Sequence, residues 1–364
     1  MTGSFAAIDY LTPILSIIVT AILLRVLIDI APRLGLMDKP GGHKIHAQAT
    51  PVVGGLAMFC AFFLSVLVLK TPLAGYRPLF AGIALLVIVG VLDDMHELSS
   101  KFRFVPQIAA AMMMTIWGGV VLSDFGNLLG DNPISLGLLA IPVTIFAAVG
   151  VTNALNMSDG TDGQAASITS VVLFSIIVLL FSHGNSNVLN IVLVLVGVVV
   201  TFLVFNLRLG RFSQGVFMGD AGSMFLGFVI CWLFVSLSQG EERVFRPVAT
   251  LWIFALPLID TVSVMIRRVL TGRSPIDPDR THYHHILRLM GLSERNSLLA
   301  IVGCAFLFAT IGLIGEFRVV KEYVMFYSFM SLFVTYFVIS SVLLKWLVTQ
   351  EEKKNPAERG FSRT

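Results

Sequence analysis

The chain has 364 residues, 56% of them hydrophobic and only 13% charged, against about 45–50% and about 25% in soluble globular domains. That balance excludes an ordinary cytosolic enzyme, and a net charge of +3 on so much apolar surface excludes a nucleic-acid partner. Cys60, Cys231 and Cys304 lie inside apolar runs without CxxC spacing, which reads as packing and not as a metal site or a disulfide framework.

A bilayer core about 30 Å thick takes about 20 apolar residues per helical crossing. Runs of that kind fall near residues 11–27, 52–69, 79–92, 105–122, 136–151, 165–181, 188–205, 223–237, 248–264, 298–314 and 323–347. The third, fifth and eighth are short, so each is expected to extend into its flank, tilt or partly re-enter. Eleven crossings leave about a dozen residues per connection, too few for a sizeable soluble domain. The chain from 1 to 364 therefore reads as one all-α, polytopic integral membrane domain of about eleven helices. Its longest polar connection is a histidine loop at 266–297, and its tail runs from 348 to 364. The first run is long enough to span and is followed by more of the same, without a signal-peptide cleavage pattern, so the N terminus is expected to stay.

Basic loops are retained on the cytoplasmic side. Alternate connections separate cleanly: one set, which includes Arg33, Lys39, Lys44, Arg208 and Arg267, carries 18 Lys and Arg, and the other carries 6. The N terminus is therefore expected in the periplasm and the C terminus in the cytoplasm, as an odd number of crossings requires. Asp93, Asp94, Asp159, Asp162, Asp220, His282, His284 and His285 all fall in the basic set. Carboxylates from three separate loops and histidines from a fourth predict a site at the inner surface.

Each of these motifs has a chemistry. Asp93 and Asp94 end the third run in VLDDMHEL; adjacent helical residues point about 100° apart, so the two carboxylates must serve different partners. In NALNMSDGTDG, Asn153, Asn156, Asp159 and Asp162 recur every third residue, which stacks them on one side if the segment is a helix end. Gly160 and Gly163 leave its backbone open to a nucleotide. FNLRLGRFSQGVFMGDAGS holds Asn206, Arg208, Arg211, Phe217 and Asp220. Small residues beside Asp220 would let a cation and its phosphate ligand approach, Mg²⁺ takes only one or two protein carboxylates, and Phe217 offers a ring to a base. Asp220 could equally cap a helix starting near Ala221. In SPIDPDRTHYHH, His282, His284 and His285 lack a matching ligand set elsewhere for zinc and, with Arg280, fit phosphate oxygens better. Asp260 lies inside an apolar run, where a carboxylate is either functional or paired with a basic group. Lys44, in DKPGGHKIHAQATP, suits an anionic substrate or lipid headgroups.

These motifs resemble the polyprenyl-phosphate N-acetylhexosamine-1-phosphate transferases, in particular the bacterial undecaprenyl-phosphate N-acetylglucosamine-1-phosphate branch. The likeness runs through GLMDKP, PVVGG, LDD, NALNMSDGTDG, FMGDAGS, ALWIFALPLID and SPIDPDRTHYHH, nearly the whole chain. Two positions depart from the family pattern: Tyr283 stands in the usual His-Ile-His-His, and Gln164 follows Gly163 where leucine is common. The resemblance implies transfer of GlcNAc-1-phosphate from UDP-GlcNAc to undecaprenyl phosphate with release of UMP, at the cytoplasmic face of a bacterial inner membrane. That would be the first membrane step of O-antigen or enterobacterial common antigen assembly. It implies dependence on Mg²⁺ or Mn²⁺, with Asp220 on the metal, and is compatible with a homodimer. It further implies that Asn156, Asp159, Asp162 and Phe217 face the nucleotide, that Asp93 and Asp94 serve catalysis or the lipid phosphate, and that the histidine loop meets the diphosphate. Direct attack by the lipid phosphate on the β-phosphorus is expected, with a phosphorylated Asp as the rival route. An intramembrane prenyltransferase would need a second Asp-rich motif like that of Asp93 and Asp94, and an ion-coupled transporter would place its polar groups near the midplane.

Overall fold

The computed structural model describes residues 9–38, 49–96, 98–184, 186–210, 215–275 and 281–354. In hydrocarbon every backbone N–H and C=O must be satisfied internally, and helices dominate accordingly. They are α1 (Leu11–Leu34), α2 (Gly54–Val66), α3 (Arg77–His96), α4 (Ser100–Met112), α5 (Ala140–Met157), α6 (Gln164–His183), α7 (Ser186–Asn206), α8 (Gly219–Ser238), α9 (Pro247–Ile253), α10 (Ala255–Leu270), α11 (Tyr283–Leu289), α12 (Glu294–Phe317) and α13 (Glu322–Lys354). Two short strands, β1 (Met37–Asp38) and β2 (Thr50–Pro51), pair antiparallel.

Each of the eleven apolar runs is helical, and the chain is a polytopic membrane protein. Among the described residues, eight helical stretches are long and apolar enough to cross a bilayer. The third, fifth and eighth runs, short in sequence, extend into their flanks as stretches of 23, 21 and 20 residues. The second and fourth are the shorter ones instead: α2 has 13 residues, and α4 has 13 before a π-turn at Met113–Trp117 continues it. The ninth run is broken. α9 and α10 meet at 80°, because Pro257 cannot donate to the carbonyl of Ile253 and the helix gives way at Phe254. α13 continues to Lys354, into the stretch read as a tail.

α8 is the hub, with every residue from Ala221 to Ser238 except Ser236 buried, against α3, α5 and α2. Lipid is as apolar as a leucine side chain, so helices in a membrane are held by close packing at small residues and by polar contacts more than by removal from water. Gly55 of α2 lies on Gly222, Gly90 of α3 on Ala221, and Gly227 of α8 on Thr152 of α5, with no room for a Cβ at any of the three glycines. α8 runs antiparallel to α5, so one turn past Thr152 brings Asn156 level with Ser223, and one turn past Gly90 brings Asp94 to the start of α8.

Candidate active site

At that end of the bundle a cleft of about 980 Å³ opens, lined among others by Asp93, Asp94, Asn156, Asp159, Asp162, Asn206, Phe217 and Asp220. Carboxylates from the three predicted segments thus share one space. They lie at helix ends and not at mid-helix, unlike the coupling groups expected of a transporter.

Asp93 and Asp94 do serve different partners. Asp94 accepts from the backbone N–H of Asp220 at 2.8 Å and from that of Ala221 at 3.4 Å, so it caps α8 from a neighbouring helix. α8 begins at Gly219, whose φ of 71° and lack of a side chain let Asp94 approach. Asp220 therefore sits in the first turn and is presented by Asp94; it is not itself the cap. Asp93 accepts from Leu98 N–H at 2.6 Å, and its other oxygen lies 3.2 Å from Arg103 Nε. A second nitrogen of Arg103 lies 3.2 Å from Asp220 Oδ2. Asn156 donates to Asp220 Oδ1 and reaches Ser223 Oγ at 2.8 Å.

The every-third spacing of Asn and Asp does not continue as a helix face, because α5 ends at Met157 and places Asp159 and Asp162 in the following turn. Burial and the neighbouring Asp220 and Asp162 carboxylates push Asp159 up to about 7, since both disfavour its charged form. Asp162 lies 3.8 Å from Arg208 at the rim. Asn206 accepts from Gly163 N–H and donates to Val216 O at 2.7 Å, clasping the turn to the segment before α8. Asn153 is not among the cleft residues. It donates to Gln107 at 2.6 Å and to Val149 O at 2.8 Å, joining α5 to α4 beneath the site.

The histidines lie behind the turn. The ring of His284 packs directly on Gly160, His282 stacks parallel to it at 5.8 Å, and the His285 ring lies 4.1 Å away. Burial and the two neighbouring imidazoles push His284 down to about 3, so it meets the turn as a neutral ring. Lys44 and Arg280 lie outside the described residues. Gln164 and Tyr283, the two departures from the family pattern, bond to each other: Gln164 Nε2 donates to Tyr283 Oη at 2.8 Å and to Ser158 O at 2.6 Å.

Arg103, one of the 18 Lys and Arg of the basic set, joins the site without any motif in the sequence marking it. The overlooked signal is its place on the helix that follows the Asp pair, where one turn of chain reversal returns it to Asp93. No cluster of three His, Cys, Asp or Glu suited to a metal occurs among the described residues. The donors present still fit a hard divalent cation. Asp93 Oδ2 is buried without a hydrogen bond, Asp220 Oδ2 shares the Arg103 guanidinium with it, and Mg²⁺ needs only one or two carboxylates beside phosphate and water.

The glycosyl transferase family 4 model matches residues 76–238, which hold all five cleft carboxylates named above. The chain is 34% identical over 308 residues to an undecaprenyl-phosphate alpha-N-acetylglucosaminyl 1-phosphate transferase of Yersinia pestis, covering 84% of each chain. It is 34% identical over 310 residues to the protein of that name in Escherichia coli (strain K12), again 84% of each. A third, from Haemophilus influenzae, is 35% identical over 332 residues, 90% of this chain and 92% of its own length.

Proposed function

Since the chain belongs to the undecaprenyl-phosphate alpha-N-acetylglucosaminyl 1-phosphate transferases of glycosyl transferase family 4, we propose that it transfers GlcNAc-1-phosphate from UDP-GlcNAc to undecaprenyl phosphate and so starts a lipid-linked glycan. An oxygen of the lipid phosphate bonds to the β-phosphorus, the bond from that phosphorus to the bridging oxygen breaks, and the bridging oxygen leaves with UMP. The observation that carries this reading is the meeting of Asp93, Asp94, Asp159, Asp162 and Asp220 in one cleft at helix ends, where an anionic diphosphate and an anionic lipid headgroup must be brought together.

In this reading Asp220, with Asp93 beside it, would hold Mg²⁺ or Mn²⁺, which would supply positive charge against the diphosphate and the departing UMP. Asp94 fixes Asp220 through the start of α8. Arg103 offers a planar pair of donors to phosphate oxygens. Asn156, Asp159, Asp162 and Phe217 form the nucleotide side, and the histidines support it through Gly160. The 18-to-6 division of basic residues supports eleven crossings in a bacterial inner membrane, the N terminus outside and the cleft facing the cytoplasm. O-antigen or enterobacterial common antigen synthesis would take up the product.

The test is an assay of membranes holding the full chain with UDP-GlcNAc labelled on the β-phosphate. Label should enter the lipid fraction only with undecaprenyl phosphate, UMP should appear in equal amount, EDTA should stop both, and UDP-GalNAc should serve poorly. Asp220→Asn should lower turnover by about 100-fold or more while the protein still accumulates, the loss expected for several kcal/mol of charge stabilisation. Transfer in EDTA, or near-normal turnover of Asp220→Asn in saturating Mg²⁺, contradicts the metal assignment. Absence of any lipid product contradicts the reaction.

A further inference from the structure

A buried carboxylate in α10 has no part in the reaction as drawn so far. Asp260 is 2% exposed in an apolar helix, where an unpartnered charge is costly. Three donors converge on it. The Tyr283 backbone N–H donates to Oδ1 at 3.0 Å, the Tyr336 hydroxyl of α13 donates to the same oxygen at 2.6 Å, and His282 Nδ1 lies 2.6 Å from Oδ2. With Tyr283 N–H and Tyr336 O–H both donating to it, the carboxylate serves as the acceptor of this cluster, which puts the hydrogen on Nδ1 of His282 and leaves Nε2 for other contacts. Tyr283 N–H is the first amide of α11, and the side chain of His282, at the N-cap, makes no cap bond. Asp260 takes over that duty from another helix and thereby fixes where α11 begins. α11 in turn carries His284, whose ring rests on Gly160 of the cleft turn.

Resting on the proposed transfer reaction, we propose that Asp260 is the positioning residue of the histidine segment: it sets the His282 tautomer and the start of α11, and through them holds His284 against the Asp159–Gly160 turn. An amide cannot replace it. Asparagine has one acceptor oxygen, so with that oxygen serving Tyr283 and Tyr336 its NH₂ would face His282 and force the opposite tautomer.

The full chain in membranes is assayed for UMP release as wild type, Asp260→Asn, His282→Gln and the double variant. Asp260→Asn should lower kcat about tenfold or more, in the range seen when the carboxylate behind a functional histidine is lost, with KM for undecaprenyl phosphate within about twofold of wild type. The double variant should be no worse than the poorer single one, because one residue acts through the other. Wild-type kcat for Asp260→Asn, or losses that multiply in the double, overturns the proposal. Trypsin cleavage after Arg288 on α11 is a reading independent of activity. It should quicken in Asp260→Asn, and an unchanged rate also overturns the proposal. If Asp260→Asn does not accumulate, Tyr336→Phe removes one of the three donors and carries the same two readings, wild-type values of both being the contrary result. A wild-type chain that releases no UMP contradicts the transfer reaction, and the trypsin comparison then decides the role of Asp260.

Discussion

The neutral imidazole of His284 makes a stability contribution with a definite sign. Its folded value is depressed to about 3 by burial and by the adjacent His285 and His282 rings, against an ordinary value near 6.5. A depressed histidine gives stability that is present above about pH 6.5 and is lost as pH falls toward about 3, where the buried ring must take up a proton. His284→Gln removes that liability. Its thermal midpoint should fall less steeply than wild type between about pH 6.5 and 4, measured by intrinsic fluorescence in detergent; parallel curves would contradict the burial of a neutral ring. Residue chemistry in this site is only half visible along the chain. Carboxylates in an apolar sequence announce themselves, and Asp93, Asp94, Asp159, Asp162 and Asp220 all reach the cleft. What each carboxylate holds does not announce itself: Asp94 caps a helix 126 positions away, and Arg103, paired with Asp93, reaches Asp220 across 117. Those pairings exist only after α3, α4 and α8 have packed.

At the scale of elements, the turn before α6 and the short helix α11 are fastened by a buried polar pair. Gln164 is fully buried and Tyr283 nearly so, and a hydrogen bond of 2.8 Å joins them. Removing one partner leaves the other buried without its bond, at a cost of about 1–3 kcal/mol, whereas replacing both by apolar groups of similar shape is close to neutral. Gln164→Leu and Tyr283→Ile should each lower the thermal midpoint, and the double variant should recover most of the loss; additive losses would show that the two side chains act separately. Helix existence was readable from the apolar runs because a membrane leaves the backbone few alternatives. Helix lengths were less so. Runs three, five and eight gained turns from polar flanks that pack at helix ends, while α2 stops at Val66. The break between α9 and α10 had a visible cause in Pro257, but an unbroken apolar run from 248 to 264 hides it unless proline is weighed as a helix breaker.

The whole molecule is organised by three crossings of α8 at glycine, which align the cleft ends of α2, α3 and α5 and so gather residues from distant segments. The far end of α8 holds a separate polar cluster, in which Gln239 accepts from Ser123 N–H at 2.9 Å. Near it Arg246 pairs with Glu316 at 3.0 Å. These contacts fasten the connections at that end and share no residue with the cleft. The gathering of the carboxylates at one end was legible in their place between apolar runs, whereas their separate tasks required the packing. In the proposed reaction donor and acceptor can meet only if the carboxylate end faces the compartment that supplies nucleotide sugars. The most direct measurement introduces cysteine singly at His96 and Thr161, both at the cleft, in a chain whose three native cysteines are replaced, and labels them with a membrane-impermeant maleimide. Both positions should react in inverted vesicles and stay unlabelled in intact spheroplasts. Labelling of either from the periplasmic side would contradict a single cytoplasmic cleft.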